Sequence, residues 1–239
     1  MNTAPPPSRR FFDRRFYSRA ALAVALVVFA GFAKTFYLRA LFASPALSSL
    51  LVLHGTVMTL WIAVFIAQTR LVAGGRTDLH RRLGVFGGVL AAAMLVVGTA
   101  VAIDAGRRGS TPAPEVPPLK FIVLPLVDIA LFALLVGVAL WMRRRSDVHK
   151  RLMLLATVSI LTPAIARIPV PAIHDRGLPM FFGLTILAVV LCVAIDTLRN
   201  RRLHPAFGWG GALVIASLPL RILLGGTAAW MRFATWLVG

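Results

Sequence analysis

Residues 48–69 read SSLLVLHGTVMTLWIAVFIAQT. Across these positions His54 is the only titratable side chain. At about 1.5 Å per residue, a helix of this length covers about 33 Å, enough to cross the ~30 Å hydrocarbon layer of a bilayer. The composition of the whole chain agrees. Hydrophobic residues make up 59% of its 239 positions, and the mean hydropathy is +0.83. A soluble domain of this size has no interior able to bury so much apolar surface, so lipid must be the solvent for most of it. Backbone groups in lipid must satisfy one another. The alternation expected of barrel strands is absent, so the stretch is helical.

Six further apolar stretches lie outward from it, at 20–38, 84–103, 119–141, 152–172, 178–197 and 208–225. The expected fold is an all-α polytopic membrane bundle of seven transmembrane helices, here called spans 1 to 7. Residues 1–19 are Pro-rich and then Arg-rich, which predicts a disordered basic tail. Residues 20–225 form the transmembrane domain. Residues 226–239 would make span 7 too long for the hydrocarbon layer, so this segment, with Trp230 and Trp236 around Arg232, is expected to lie in the outer interface. The lone cysteine, Cys192, sits in an apolar run and cannot form an internal disulfide.

The net charge of +18 sorts by topology. Of the 26 Lys and Arg residues, 17 fall in the N-terminal segment and in every second connection after it, 6 in the alternate connections, and 3 within spans. The positive-inside rule then places the N-terminus in the cytoplasm and the C-terminus outside. The basic charge marks topology and attracts anionic headgroups, so a nucleic-acid partner is not expected.

Two motifs match, TDLHRRLG at 77–84 and SDVHKRLM at 146–153, and a partial echo, RLHPAFGWGG, occupies 202–211. Each opens a span that runs from inside to outside. Spans 2–3 and spans 4–5 are therefore expected to be related hairpins in the same orientation. Thr77 and Ser146 are candidate N-caps. His80, Arg81, His149, Lys150 and His204 would lie at headgroup level, in reach of lipid phosphate. A three-histidine metal or phosphate site is the sharper alternative. Its spacing is not diagnostic and the neighbouring cations oppose a metal ion, so no metal ligand is assigned.

Ionisable residues inside a bilayer are functional candidates. Lys34, His54, Asp128, Arg167 and Arg221 fall in the outer halves of five different spans. His54, Met58, Trp61, Phe65 and Gln68 share one face of span 2. Pro163 and Pro219 each remove a helix hydrogen bond near Arg167 and Arg221. These features predict an outer-half polar pocket lined by His54, Asp128, Arg167, Arg221, Lys34, Met58 and Trp61. Asp128 would neutralise Arg167 or Arg221, and an anionic group would balance the remaining charge. In a purely structural alternative, Lys34 and Arg221 reach the headgroups while Arg167 and Asp128 pair. In a redox alternative, b-type haem binds between His54 and His174, or a quinone binds near His54 and Asp128. No phosphate loop, HExxH, CxxC or nucleophile elbow occurs, so an oxidoreductase is expected only if haem or quinone binds.

The segments TFYLRALF, LHGTVMTLWIAVFIAQ, TDLHRRLG, DVHKRLMLLAT, IARIP and RRLHPAFGWGG resemble those of a group of uncharacterised bacterial seven-span inner-membrane proteins. The resemblance runs from about residue 35 to 225. It implies a multi-pass protein of the bacterial inner (cytoplasmic) membrane and carries over no catalytic residue. A looser likeness to b-type membrane cytochromes rests on the His-bearing helices alone. The leading expectation is a carrier, sensor or accessory subunit that binds a small anionic or amphipathic ligand. The alternatives are a redox protein and a structural or assembly subunit. Expected partners are anionic lipid, a small-molecule ligand, and another membrane protein or a second copy of the chain.

Overall fold

The computed structural model describes residues 7–111 and 116–239, without the side chains of residues 7–14 and His174. It is 81% helix, and no strand occurs among the described residues. α1 (Pro7–Phe32) continues into a π-helical turn, Ala33–Tyr37. There follow α2 (Ser49–Ala73), α3 (Thr77–Arg107), α4 (Pro118–Phe121), α5 (Val123–Trp141), α6 (Ser146–Ser159), α7 (Thr162–Ile165), α8 (Pro171–His174), α9 (Gly177–Asn200), α10 (Pro205–Gly225) and α11 (Ala228–Val238). Seven helices, counting α4–α5 and α6–α7 as one each, are long and apolar enough to cross a membrane. The chain therefore has the build of a multi-pass membrane protein.

Local sequence explains the helix boundaries. Ser48 caps α2, its hydroxyl accepting from the Leu51 amide at 3.3 Å. Gly75 turns the chain into α3 with φ +76°, a conformation open to glycine. Thr227 caps α11 by accepting from the Trp230 amide at 3.1 Å. Thr77 and Ser146 do not cap. Each is the first helical residue, and neither Arg76 nor Arg145 at the N-cap makes a side-chain cap bond. Asp78 and Asp147, in the first turns, supply the favourable negative charge at the positive helix end.

Three elements differ from the sequence expectation. The chain is helical from Pro7, so residues 7–19 are not a disordered tail; proline suits a first helical turn, and no breaker follows it. Residues 1–6 of that expected tail lie outside the described residues. Span 5 is not continuous. α6 stops at Ser159, and the chain turns through Ile160 and Leu161 into α7, where Pro163 lacks an amide proton. Pro219, by contrast, stays inside an unbroken α10.

The α2–α3 and α5–α6 hairpins both turn at the same end of the bundle, where the rings of His80 and His149 meet. This is called the basic end, and the other the distal end. α6–α7 is the central span. In its most apolar stretch 72% of residues are buried, against 17–44% for the other spans. α6 packs on α5, α10, α9 and α1, while α7 packs between α1 and α9. The shared core includes Trp61, Met94, Phe132, Leu155, Val189 and Phe207. Exposed tryptophans stand at both ends, Trp141 and Trp209 at the basic end and Trp236 at the distal end, as in the aromatic belts of membrane proteins. α11 is a helix distinct from span 7, separated from it by the turn at Gly226 and Thr227. It packs on α4 and α3, and Trp230 donates its indole hydrogen to the Leu119 carbonyl at 2.8 Å.

Candidate functional site

At the distal end, two irregular backbone stretches come together. α1 crosses α7 at Gly31, where an added Cβ would sit 2.1 Å from the Ala164 carbonyl oxygen. Only glycine allows this approach. Beyond it, the π-turn carries one more residue per turn than an α-helix, a feature common at functional sites. The Phe36 ring lies over Gly55 of α2, at a distance that excludes a Cβ there. Thr59 donates to the Gly55 carbonyl at 2.7 Å, so at the 3.0 Å contact between the two hydroxyls Tyr37 is the donor and Thr59 the acceptor. Tyr37 also stacks on Phe29. Lys34 sits in the π-turn with its side chain exposed, and its carbonyl accepts from Ser44.

Arg167 follows α7 and lies beside this turn. One guanidinium nitrogen donates to the Pro163 carbonyl at 2.8 Å, and the guanidinium carbon lies 5.1 Å from the centre of the Phe32 ring. No carboxylate pairs with it among the described residues. His54 lies on the first turns of α2. Its Nδ1 is buried and has no hydrogen-bond partner. Non-helical backbone at membrane depth persists where protein covers it or where it lines a polar cavity. Arg167, His54 and the exposed Lys34 are the titratable groups this region has in common with the sequence expectation.

Asp128 and Arg221 form a separate, closed pair between α5 and α10. They are 6% and 2% exposed. Arg221 donates to the Asp128 carboxylate through Nη1, to the Ser217 hydroxyl at 2.9 Å through Nη2, and to the Ser217 carbonyl at 3.1 Å through Nε. Nη1 also lies 3.5 Å from the Leu124 carbonyl. Every nitrogen of this guanidinium is engaged, so Arg221 is the partner of Asp128 and Arg167 is not. Met58 reaches toward Gly98 of α3. Trp61 is in the core, donating to the Thr157 hydroxyl at 3.3 Å and meeting the Phe132 ring edge to face at 4.9 Å.

The basic end holds a second buried ion pair, which sequence reasoning missed. Arg151 of α6 grips Asp196 of α9 with Nε and Nη2 at 2.8–3.0 Å, and a third nitrogen donates to the Asp147 carbonyl at 2.8 Å. Arg151 and Asp196 are 4% and 3% exposed. A helical-face count would have found them. Val148, Arg151, Leu152 and Leu155 share one face of α6, and Thr185, Val189 and Asp196 share one face of α9.

Neighbouring side chains complete the junction. His149 donates through Nδ1 to the Ala139 carbonyl at 2.8 Å, satisfying an acceptor in the last turn of α5. His204 accepts from the Ala206 amide at Nδ1, so its Nε2 carries the proton that reaches Asp147 at 3.0 Å. Lys150 lies 5.4 Å from the centre of the Tyr17 ring. Arg81 and Arg82 are exposed. His80 packs its ring 6.4 Å from that of His149.

No group of three or more His, Cys, Asp or Glu able to hold a metal ion occurs among the described residues. Haem held by two histidines needs both at one depth. His54 is at the distal end, whereas His80, His149 and His204 are at the basic end. The side chain of His174 lies outside the described residues, so no second ligand accompanies His54 among the described side chains. No family model, curated protein or solved structure matches the chain, so the reading of its site rests on this geometry alone.

Proposed function

We propose that this is a multi-pass protein of the bacterial inner membrane, basic end in the cytoplasm, that binds the anionic group of a small or amphipathic ligand at Arg167. The orientation rests on the 17 cations gathered on one side. The binding reading is carried by one observation. Arg167 is exposed and has no carboxylate partner among the described residues, and it lies between two breaks in regular helix, against the Phe32 ring. With Nη1 donating to Pro163 and the guanidinium over Phe32, the edge formed by Nε and Nη2 is left for a carboxylate or phosphate, which arginine holds with two parallel hydrogen bonds. Such a site suits a carrier, a sensor or an accessory subunit.

Thermal unfolding in a phosphate-free maltoside detergent tests the reading. A carboxylate or phosphate ligand at about 100 times its Kd should stabilise the protein by about 2.7 kcal/mol. Arg167→Gln should abolish that gain, with its own unliganded melting little changed. If the gain persists in Arg167→Gln, the site lies elsewhere. The same sample gives an absorption spectrum, in which a Soret band lost in His54→Ala would replace this reading with the redox one.

A further inference from the structure

At the basic end, the first turns of α6 satisfy nearly everything around them. Asp147 meets His204, His149 caps α5, Lys150 covers Tyr17 and Arg151 holds Asp196. One corner is different. Gln68, near the end of α2, faces α3 at Gly84, where an added Cβ would stand 3.5 Å from its amide nitrogen. His80 lies one helical turn before Gly84, on the same face of α3. The Oε1 of Gln68 and the Nδ1 of His80 are both buried with no hydrogen-bond partner. A buried polar atom left unmatched is costly, so two in one corner call for a group that satisfies both. The ring of His149 forms the third wall. With Nδ1 committed to Ala139, its Nε2 is the remaining polar atom.

The charge around the corner selects the guest. Arg81, Arg82 and Lys150 flank the histidines. The two carboxylates in the motifs are Asp78, which is exposed, and Asp147, which is engaged by His204. That field opposes a metal cation and favours an anion. The guest must donate to Gln68 and accept from the imidazole N–H of His80, while the Nε2 of neutral His149, whose proton is on Nδ1, is a further acceptor. We propose that the corner formed by Gln68, His80 and His149 binds a phosphate group that bears, or stands beside, a hydroxyl. Inorganic hydrogen phosphate has that chemistry, and so does a glycerol-phosphate lipid headgroup. The site is independent of Arg167 and lies at the opposite end of the bundle.

The test uses the full chain in maltoside micelles, titrated with inorganic phosphate. It is repeated in bilayer discs of phosphatidylglycerol, with phosphatidylcholine as the uncharged control. Phosphorus NMR reads the bound phosphate. The imidazole nitrogen resonances of His80 and His149 read the protein without any substitution. The expected result is a shift of both imidazoles with one or both probes, weakened about fivefold or more in His80→Gln and in Gln68→Leu but not in Arg232→Gln, an exposed cation at the distal end. A response to inorganic phosphate identifies a soluble guest, and a response confined to phosphatidylglycerol identifies a lipid. Unmoved imidazoles with both probes would overturn the proposal, as would binding that survives both His80→Gln and Gln68→Leu. A trapped water would then be the occupant.

Discussion

Residues 77–82 and 146–151 share a motif and play opposite parts. In the first copy, Asp78, Arg81 and Arg82 are exposed, and His80 keeps a buried nitrogen without a partner. In the second, Asp147, His149, Lys150 and Arg151 reach side chains or backbone of spans 7, 4, 1 and 6 in turn. The difference comes from position. At the basic end α3 packs at the rim, on α2 and α5, whereas α6 is enclosed by α5, α10, α9 and α1. Cations that are exposed at the rim have counterparts at the centre that meet a carboxylate and an aromatic ring. One short motif therefore supplies a surface charge in one hairpin and a structural junction in the other.

The largest effect should come from the equivalent arginines. Arg151→Ala leaves Asp196 charged and buried, at a cost of about 3–5 kcal/mol, while Arg82→Ala should change stability by no more than about 0.5 kcal/mol. Unfolding in mixed dodecyl sulfate and maltoside micelles measures both. Equal losses would erase the distinction between the copies. Next in size is Gly31→Ala, whose Cβ would collide with the Ala164 backbone and should destabilise by about 1–3 kcal/mol. Gly137→Ala, facing open space in α5, should be neutral or stabilise by up to about 1 kcal/mol. His149→Leu should cost about 1–2 kcal/mol through the bare Ala139 carbonyl, and more than His80→Leu, which removes an unmatched nitrogen. Asp147→Asn should come last, at about 0–1 kcal/mol, because its bond to His204 is half exposed and screened by salt.

Span number and hairpin relationship were legible in the sequence because lipid imposes a minimum apolar length on each helix. Asp128 and Arg221 stood out as charges within such runs, although choosing Arg221 over Arg167 as the partner needed the packing of α10 on α5. Arg151 was hidden among the cations of RRRSDVHKR, where charge counting assigns every member to a surface. Asp196 was hidden at the end of an apolar run, where it reads as a boundary. The π-turn at Ala33–Tyr37 has no breaker residue to announce it. It lies between the close approach of Gly31 to Ala164 and that of Phe36 to Gly55, which only the fold creates. The break in span 5 was half legible from Pro163, but its consequence, an arginine outside the helix and over Phe32, was not.

The most direct test of the central claim, that the second motif copy locks the bundle through a buried ion pair, is a double-mutant cycle on Arg151 and Asp196. The account predicts that the Arg151→Ala/Asp196→Ala protein is no less stable than the worse single variant, with a coupling of at least about 2 kcal/mol. Losses from the two substitutions that simply add would contradict it.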